Sequence, residues 1–147
     1  MPRRPPVGLL LALLAGACHY TGPLPAVRVQ PVATLTAQQT AVCRSVTGAL
    51  PKELAADVVR RRTDPDDGST AAWGDPAIVL RCGVGPGSAL DDLYEFDGVQ
   101  WAMHDTGATR TWTTLGRAVN VQVVVPDHYD GQAELLGSLA TALAATR

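Results

Sequence analysis

The sequence predicts an α+β domain, with a largely antiparallel sheet of five or six strands and an N-terminal and a C-terminal helix packed on one face. Three observations predict it. An apolar stripe at helical spacing opens the folded part, a run of short β-branched segments separated by turn signals fills its middle, and a second helical stripe closes it.

The first helix is expected over Ala37 to Leu50. Thr36-Ala37-Gln38-Gln39 has the T-x-x-Q capping-box pattern, Val42, Cys43, Val46 and Leu50 recur at helical spacing, and Pro51 stops the run. Lys52 to Asp57 is ambiguous. Val58 to Thr63 reads as a strand, closed by the turn-rich Asp64-Pro65-Asp66-Asp67-Gly68. Ala77 to Cys82 is a short buried strand by its length and β-branching, and the glycines from Gly83 to Gly87 break it. Leu93 to Phe96 and Val99 to Met103 flank Asp97-Gly98, a two-residue signal for a type I′ hairpin. Arg110 to Leu115 and Ala118 to Val125 suggest a second hairpin around Gly116-Arg117. Val119, Val121, Val123 and Val125 share one face of its last strand, which is expected to be central. Pro126 ends that strand. From Gly131 the final helix carries Leu135, Leu136, Leu139, Ala142 and Leu143.

Ahead of this domain stands a leader. Arg3 and Arg4 form a positive start, and Val7 to Ala17 is an uncharged apolar run ending in small residues. Eleven helical residues span only about 16 Å, whereas a bilayer core needs about 20 residues, so a permanent membrane span is a poor reading. Residues 1–17 are therefore expected to be a signal peptide. Ala15-Gly16-Ala17 fits an ordinary signal-peptidase site, after which the chain would be secreted. LLAGAC also resembles a lipobox, which would make Cys18 the acylated first residue of a lipoprotein on the outer face of the cell membrane. Residues 18–34, with Pro23, Pro25 and Pro31, read as a Pro-rich stalk, in which alternating Val27, Val29 and Val32 could also form a first strand. Residues 35–147 are the single folded domain.

With Cys18 taking lipid, Cys43 and Cys82 remain as an even pair, which suits a structural disulfide in an exported protein. The alternatives are two reduced buried thiols, or a zinc site built from these two with His104 and His128, which lacks C-x-x-C and H-x-x-x-H spacing. No metal and no cofactor is expected. Removing the leader leaves ten basic residues against fourteen acidic ones, a formal charge of −4, which argues against a nucleic-acid partner.

The segment from Ala71 to Gly83 (AAWGDPAIVLRCG) resembles the signature of an actinobacterial family of secreted lipoproteins, domain-of-unknown-function family 3515. Cys43 followed by Leu50-Pro51, the arginines at 60–62, Trp101, and Val125-Pro126 before the last helix agree with it in order. The resemblance covers the chain from about Leu35 onward and implies a secreted or lipid-anchored domain with paired cysteines, and no established activity.

Candidate partner-binding residues are Trp73, Asp75, Arg60 and Arg62. An exposed indole beside a carboxylate and guanidinium forks would suit a peptide, carbohydrate or envelope partner, against the competing reading that Trp73 folds inward over a tight turn at Gly74-Asp75-Pro76. On strand alternation Arg60 and Arg62 share one face and Arg61 takes the other. The Asp64–Gly68 run lacks the spacing of a calcium loop, and Gly83–Gly87 lacks that of a phosphate loop. His104-Asp105 and Asp127-His128 each set an imidazole beside a carboxylate, but strand neighbours point to opposite faces, and no activated-nucleophile motif accompanies them. The expectation is thus a non-enzymatic binding or accessory module of the cell envelope. The rival is an envelope hydrolase acting on cell-wall or lipid substrates, with His104 or His128 as base.

Overall fold

The computed structural model describes residues 1, 22–32, 34–54 and 57–146. The leader and Cys18 lie outside the described residues, as does the first part of the stalk.

Helix α1 spans Ala37–Ala49 and begins as its sequence dictates. Thr36 Oγ1 accepts the Gln39 N–H at 3.2 Å, and Gln39 Oε1 accepts the Thr36 N–H at 2.9 Å, so each side chain satisfies the other residue's backbone donor. Cys43, Val46 and Leu50 face inward. At the other end Leu50 turns extended before Pro51. There the Arg60 guanidinium donates to Thr47 O at 3.1 Å and to Leu50 O at 3.4 Å, meeting carbonyls that the helix leaves open.

The strands are β1 (Val27–Arg28), β2 (Glu53–Leu54), β3 (Val58–Arg61), β4 (Thr63–Asp64), β5 (Thr70–Trp73), β6 (Ile78–Val84), β7 (Asp92–Phe96), β8 (Val99–Asp105), β9 (Thr109–Thr114) and β10 (Asn120–Pro126). Eight of them form one antiparallel sheet in the order β2-β3-β5-β6-β10-β9-β8-β7. The expected five or six strands are thus too few. The expected single strand from Val58 to Thr63 breaks at Arg62 into β3 and β4, and the unforeseen β5 fills the place between β3 and β6. Strand β10 lies in the interior of the order. Val121, Val123 and Val125 are buried on one face, and Val123 stands between Leu80 and Trp112. The β7–β8 hairpin turns at Asp97 (φ 49°) and Gly98 (φ 73°), the left-handed pair a type I′ turn requires.

The C-terminal helix is also a correction. In place of one helix there are α2 (Gln132–Gly137), α3 (Ala140–Leu143) and a final 3₁₀ turn, Ala144–Thr146. The chain rises into Asp97 of the β7–β8 turn at Gly137, where even a methyl group would collide with the carboxylate. Helix α3 and the 3₁₀ turn pack on α1, while α2 lies near β7, so the helices cover one another as well as the sheet. Their buried leucines join Trp73, Ile78, Leu80, Trp101 and the β10 valines in one core.

Cys43 and Cys82 form a disulfide, with Cα atoms 5.6 Å apart, that fixes α1 to β6. Both thiols of the zinc alternative are thereby used. The expected stalk is in contact with the domain over its described part. Val27–Arg28 pairs in parallel with Thr63–Asp64, Val29 is buried, and Pro25 O accepts a bond from Arg61. The alternative of a first strand at Val27 is the arrangement the structure adopts there.

Candidate functional site

Where β3 runs beside the incoming chain, a cleft of about 440 Å³ opens, lined by Pro23, Leu24, Asp57, Val59, the arginines 60–62, Gly74 and Asp75. It gathers Asp75, Arg60 and Arg62 but leaves out Trp73. That indole is fully buried, donates from Nε1 to Pro51 O at 3.1 Å, and carries the Arg60 guanidinium over its ring at 5.8 Å. Trp73 thus folds inward, the competing reading of its turn, while Arg60 lines the cleft and stacks on the indole. The physical reason is strand β5: all four of its residues are buried between β3 and β6, and the bulky residue ending such a strand enters the core.

Arg61, passed over in the sequence as the arginine on the other face, organises the cleft. Its Nη1 donates to Gly74 O at 2.9 Å and lies 3.5 Å from Asp75 Oδ1, and its Nη2 donates to Pro25 O at 2.8 Å. The side chain is only 13% exposed, and its Nε, buried, has no hydrogen-bond partner among the described residues. A buried donor left open carries a desolvation penalty of about 1–3 kcal/mol. Alternation did place Arg61 opposite Arg60; what it could not show is that residues 23–25 come back across that face. Apolar Leu24 and Val59 are both substantially exposed beside it.

The wall at Gly74-Asp75-Pro76 is held by packing. Gly74 adopts φ 68°, and a Cβ there would strike the Tyr129 hydroxyl and the Val58 methyl, so glycine is required twice over. Tyr129 donates its hydroxyl to Pro76 O at 2.7 Å. Burial pushes its phenol above the usual range, against the opposing effect of a hydrogen bond with the Asp75 backbone.

A second cleft, about 340 Å³, lies on the sheet face under the loop at 86–91 and is lined by Ser88, Asp91, His104, Thr111, Thr113 and Gln122 among others. As strand alternation requires, His104 and its neighbour Asp105 turn to different partners there. His104 Nδ1 lies 3.5 Å from Asp91 Oδ1, whereas Asp105 binds Arg110 at 2.9 Å. The Gly107 N–H, then Arg110, hold the Asp105 carboxyl below its ordinary value. His128 sets its ring edge-on to Tyr129.

The profile of the family described as "Protein of unknown function (DUF3515)" matches residues 5–147. The chain belongs to that family. No curated protein and no solved structure matches it. Several residues of the DUF3515 signature read in the sequence now have places: Trp73, Ile78, Leu80 and Cys82 in the core, Gly74 and Asp75 on the wall of the first cleft.

Proposed function

We propose that this DUF3515 chain is a non-enzymatic binding or accessory module of the cell envelope, anchored through an acylated Cys18 to the outer face of the cytoplasmic membrane. It takes a protein or cell-wall partner in the cleft between β3 and residues 23–25. The observation that carries the binding part is the cleft itself: exposed Leu24 and Val59 stand beside the guanidinium of Arg62 and the carboxylates of Asp57 and Asp75. Apolar surface with both signs of charge at its rim is the composition of a recognition surface. Export is supported by the leader, by small residues before Cys18, and by a disulfide suited to an oxidising compartment.

Comparative affinity capture from detergent-solubilised envelope tests this reading. The wild-type chain is expected to recover a reproducible partner that Val59→Asp and Arg62→Glu both lose while remaining folded. Equal recovery by both variants would reject the cleft as the site.

One observation favours a second reading, hydrolysis of a cell-wall or lipid substrate. Asp91 is nearly buried, its Oδ2 accepts the Ser88 N–H at 2.7 Å, and its Oδ1 faces the exposed His104. A carboxylate behind an imidazole is the arrangement that orients a general base, and the hydroxyls of Ser88, Thr111 and Thr113 share the cleft. On this reading His104→Ala abolishes release of product from isolated envelope or lipid; on the binding reading the same variant keeps full partner capture.

A further inference from the structure

The loop at 86–91 encloses a carboxylate whose hydrogen bonding is half complete. The Asp91 side chain is only 8% exposed, and its Oδ2 accepts the Ser88 N–H at 2.7 Å. Its Oδ1 has His104 Nδ1 at 3.5 Å, longer than an ordinary hydrogen bond, and accepts no other donor among the described residues. A carboxylate withdrawn from water costs stability unless its lone pairs are met, so Oδ1 is an open acceptor in the second cleft.

The floor of that cleft presents a donor in a fixed orientation. His104 and Thr111 are cross-strand partners, as are Gln122 and Thr113, so all four side chains stand on the outer face of the sheet. The Arg81 guanidinium donates to Gln122 Oε1. A guanidinium has no acceptor, so the amide turns its oxygen to Arg81 and leaves Nε2 on the Thr113 side. Nε2 has one long contact, 3.5 Å to Thr113 Oγ1, and a second N–H to spare. The hydroxyl of Thr111 makes no hydrogen bond among the described residues and, like those of Ser88 and Thr113, can donate or accept. The loop is set close on this floor: a Cβ at Gly87 would come within 2.7 Å of the Ala102 Cβ.

We propose that this cleft binds a neutral saccharide, whose hydroxyls donate to Asp91 Oδ1 and accept from Gln122 Nε2. The polar groups select the class. An anion would bring only acceptors to the Asp91 carboxylate, and no arginine or lysine is among the described lining residues. A metal ion or ammonium would satisfy Asp91 but leave the Gln122 donor unmet, and no group of three metal-ligating side chains exists among the described residues. A peptide backbone both donates and accepts, but its side chains need pockets, and Pro86 is the one apolar side chain among the described lining residues. A sugar hydroxyl donates and accepts at one atom, so a single ring meets the fixed acceptor and the fixed donor together. The cleft's 340 Å³ lies within the range of small-molecule sites. This site shares no lining residue with the partner cleft beside β3, so neither depends on the other. It gives the hydrolysis reading a ligand class without requiring cleavage.

Titration of the full chain as purified, in a detergent without a sugar headgroup where acylated, followed by backbone-amide NMR, tests the proposal. The probes are maltotriose and triacetylchitotriose, with acetyl-trialanine amide, methylammonium and inorganic phosphate for comparison. At least one saccharide is expected to shift the amides of 88–91 and 111–113 with a Kd of about 1 mM, while the other three compounds leave them in place. Thr111→Val removes the open hydroxyl but keeps a β-branched strand residue, and should weaken binding about fivefold. Asp91→Asn keeps an oxygen for the Ser88 N–H and turns a donor toward the ligand in place of Oδ1, and should weaken it at least about tenfold. Circular dichroism confirms the fold of each variant. No shift at these amides with either saccharide at about 50 mM overturns the proposal. So does equal binding of the peptide or of methylammonium, or wild-type affinity in both variants. The length of the recovered saccharide reports on hydrolysis separately: a probe that binds and is recovered whole supports the site and rejects cleavage of that probe.

Discussion

At the scale of single residues, the wall of the first cleft rests on Tyr129 and Gly74. Burial raises the Tyr129 phenol above its ordinary 10.0 in the folded chain. Below that value both folded and unfolded chains keep the proton, and the full contribution is present. As pH rises through the ordinary value the unfolded chain ionises first, and stability falls until the folded value is passed. Tyr129→Phe should therefore lower stability by about 1 kcal/mol at neutral pH, through the lost bond to Pro76 O, and flatten the alkaline decline. Urea midpoints of both chains measured across the alkaline range check this. An unchanged slope would show that the phenol does not titrate differently in the folded state.

Among the elements, α1 is joined to the sheet by Cys43–Cys82, two cysteines 39 positions apart in the sequence. On the chain-entropy account a loop of that size stabilises by about 4 kcal/mol, a large part of an ordinary domain's total. The double variant Cys43→Ala/Cys82→Ala should thus shift the denaturant midpoint far more than any exposed substitution, and a shift near zero would mean that the bridge adds little constraint. The elements legible in sequence are those whose signals are local. The capping box at Thr36, the Asp97-Gly98 turn and the valine alternation of β10 each announce themselves within a few residues, and each stands where it was expected. Strand β5 was not legible. Ala71 and Ala72 have weak strand preference, and their place between β3 and β6 comes from burial on both faces, which a short run cannot announce. Strand β2, two residues long, gives no periodicity at all, whereas β1 showed only in the alternation of Val27, Val29 and Val32 and the start of β4 only as the end of a longer expected strand. The final helix carried a continuous apolar stripe, which does not mark the break between α2 and α3.

For the candidate site the legibility was partial for the same reason. Asp75, Arg60 and Arg62 were candidates for a recognition surface and line the cleft, whereas Trp73 is buried; Arg60 also stacks on that indole and closes the end of α1. Leu24 and Val59, which supply the apolar surface, are unremarkable in sequence and meet only because the chain before β1 returns across β3.

For the whole molecule, the proposed tether at Cys18 and the proposed partner cleft are close in sequence. Pro23 and Leu24 line the cleft, and only four residues separate Cys18 from Pro23, a span of at most about 18 Å if fully extended. A chain anchored at Cys18 would hold the cleft close to the membrane surface and leave the β7 edge at the far side of the sheet. Two acyl chains suffice for a durable anchor without a membrane span. Among the described residues no helix is long and apolar enough to cross a bilayer. Intact-mass spectrometry of the chain extracted from the membrane fraction of its host, with and without thiol alkylation, tests this arrangement most directly. The expected species begins at Cys18, carries acyl groups on it, and has no thiol open to the reagent. A chain that still begins at Met1, or one that begins at Cys18 without acyl groups, would contradict it.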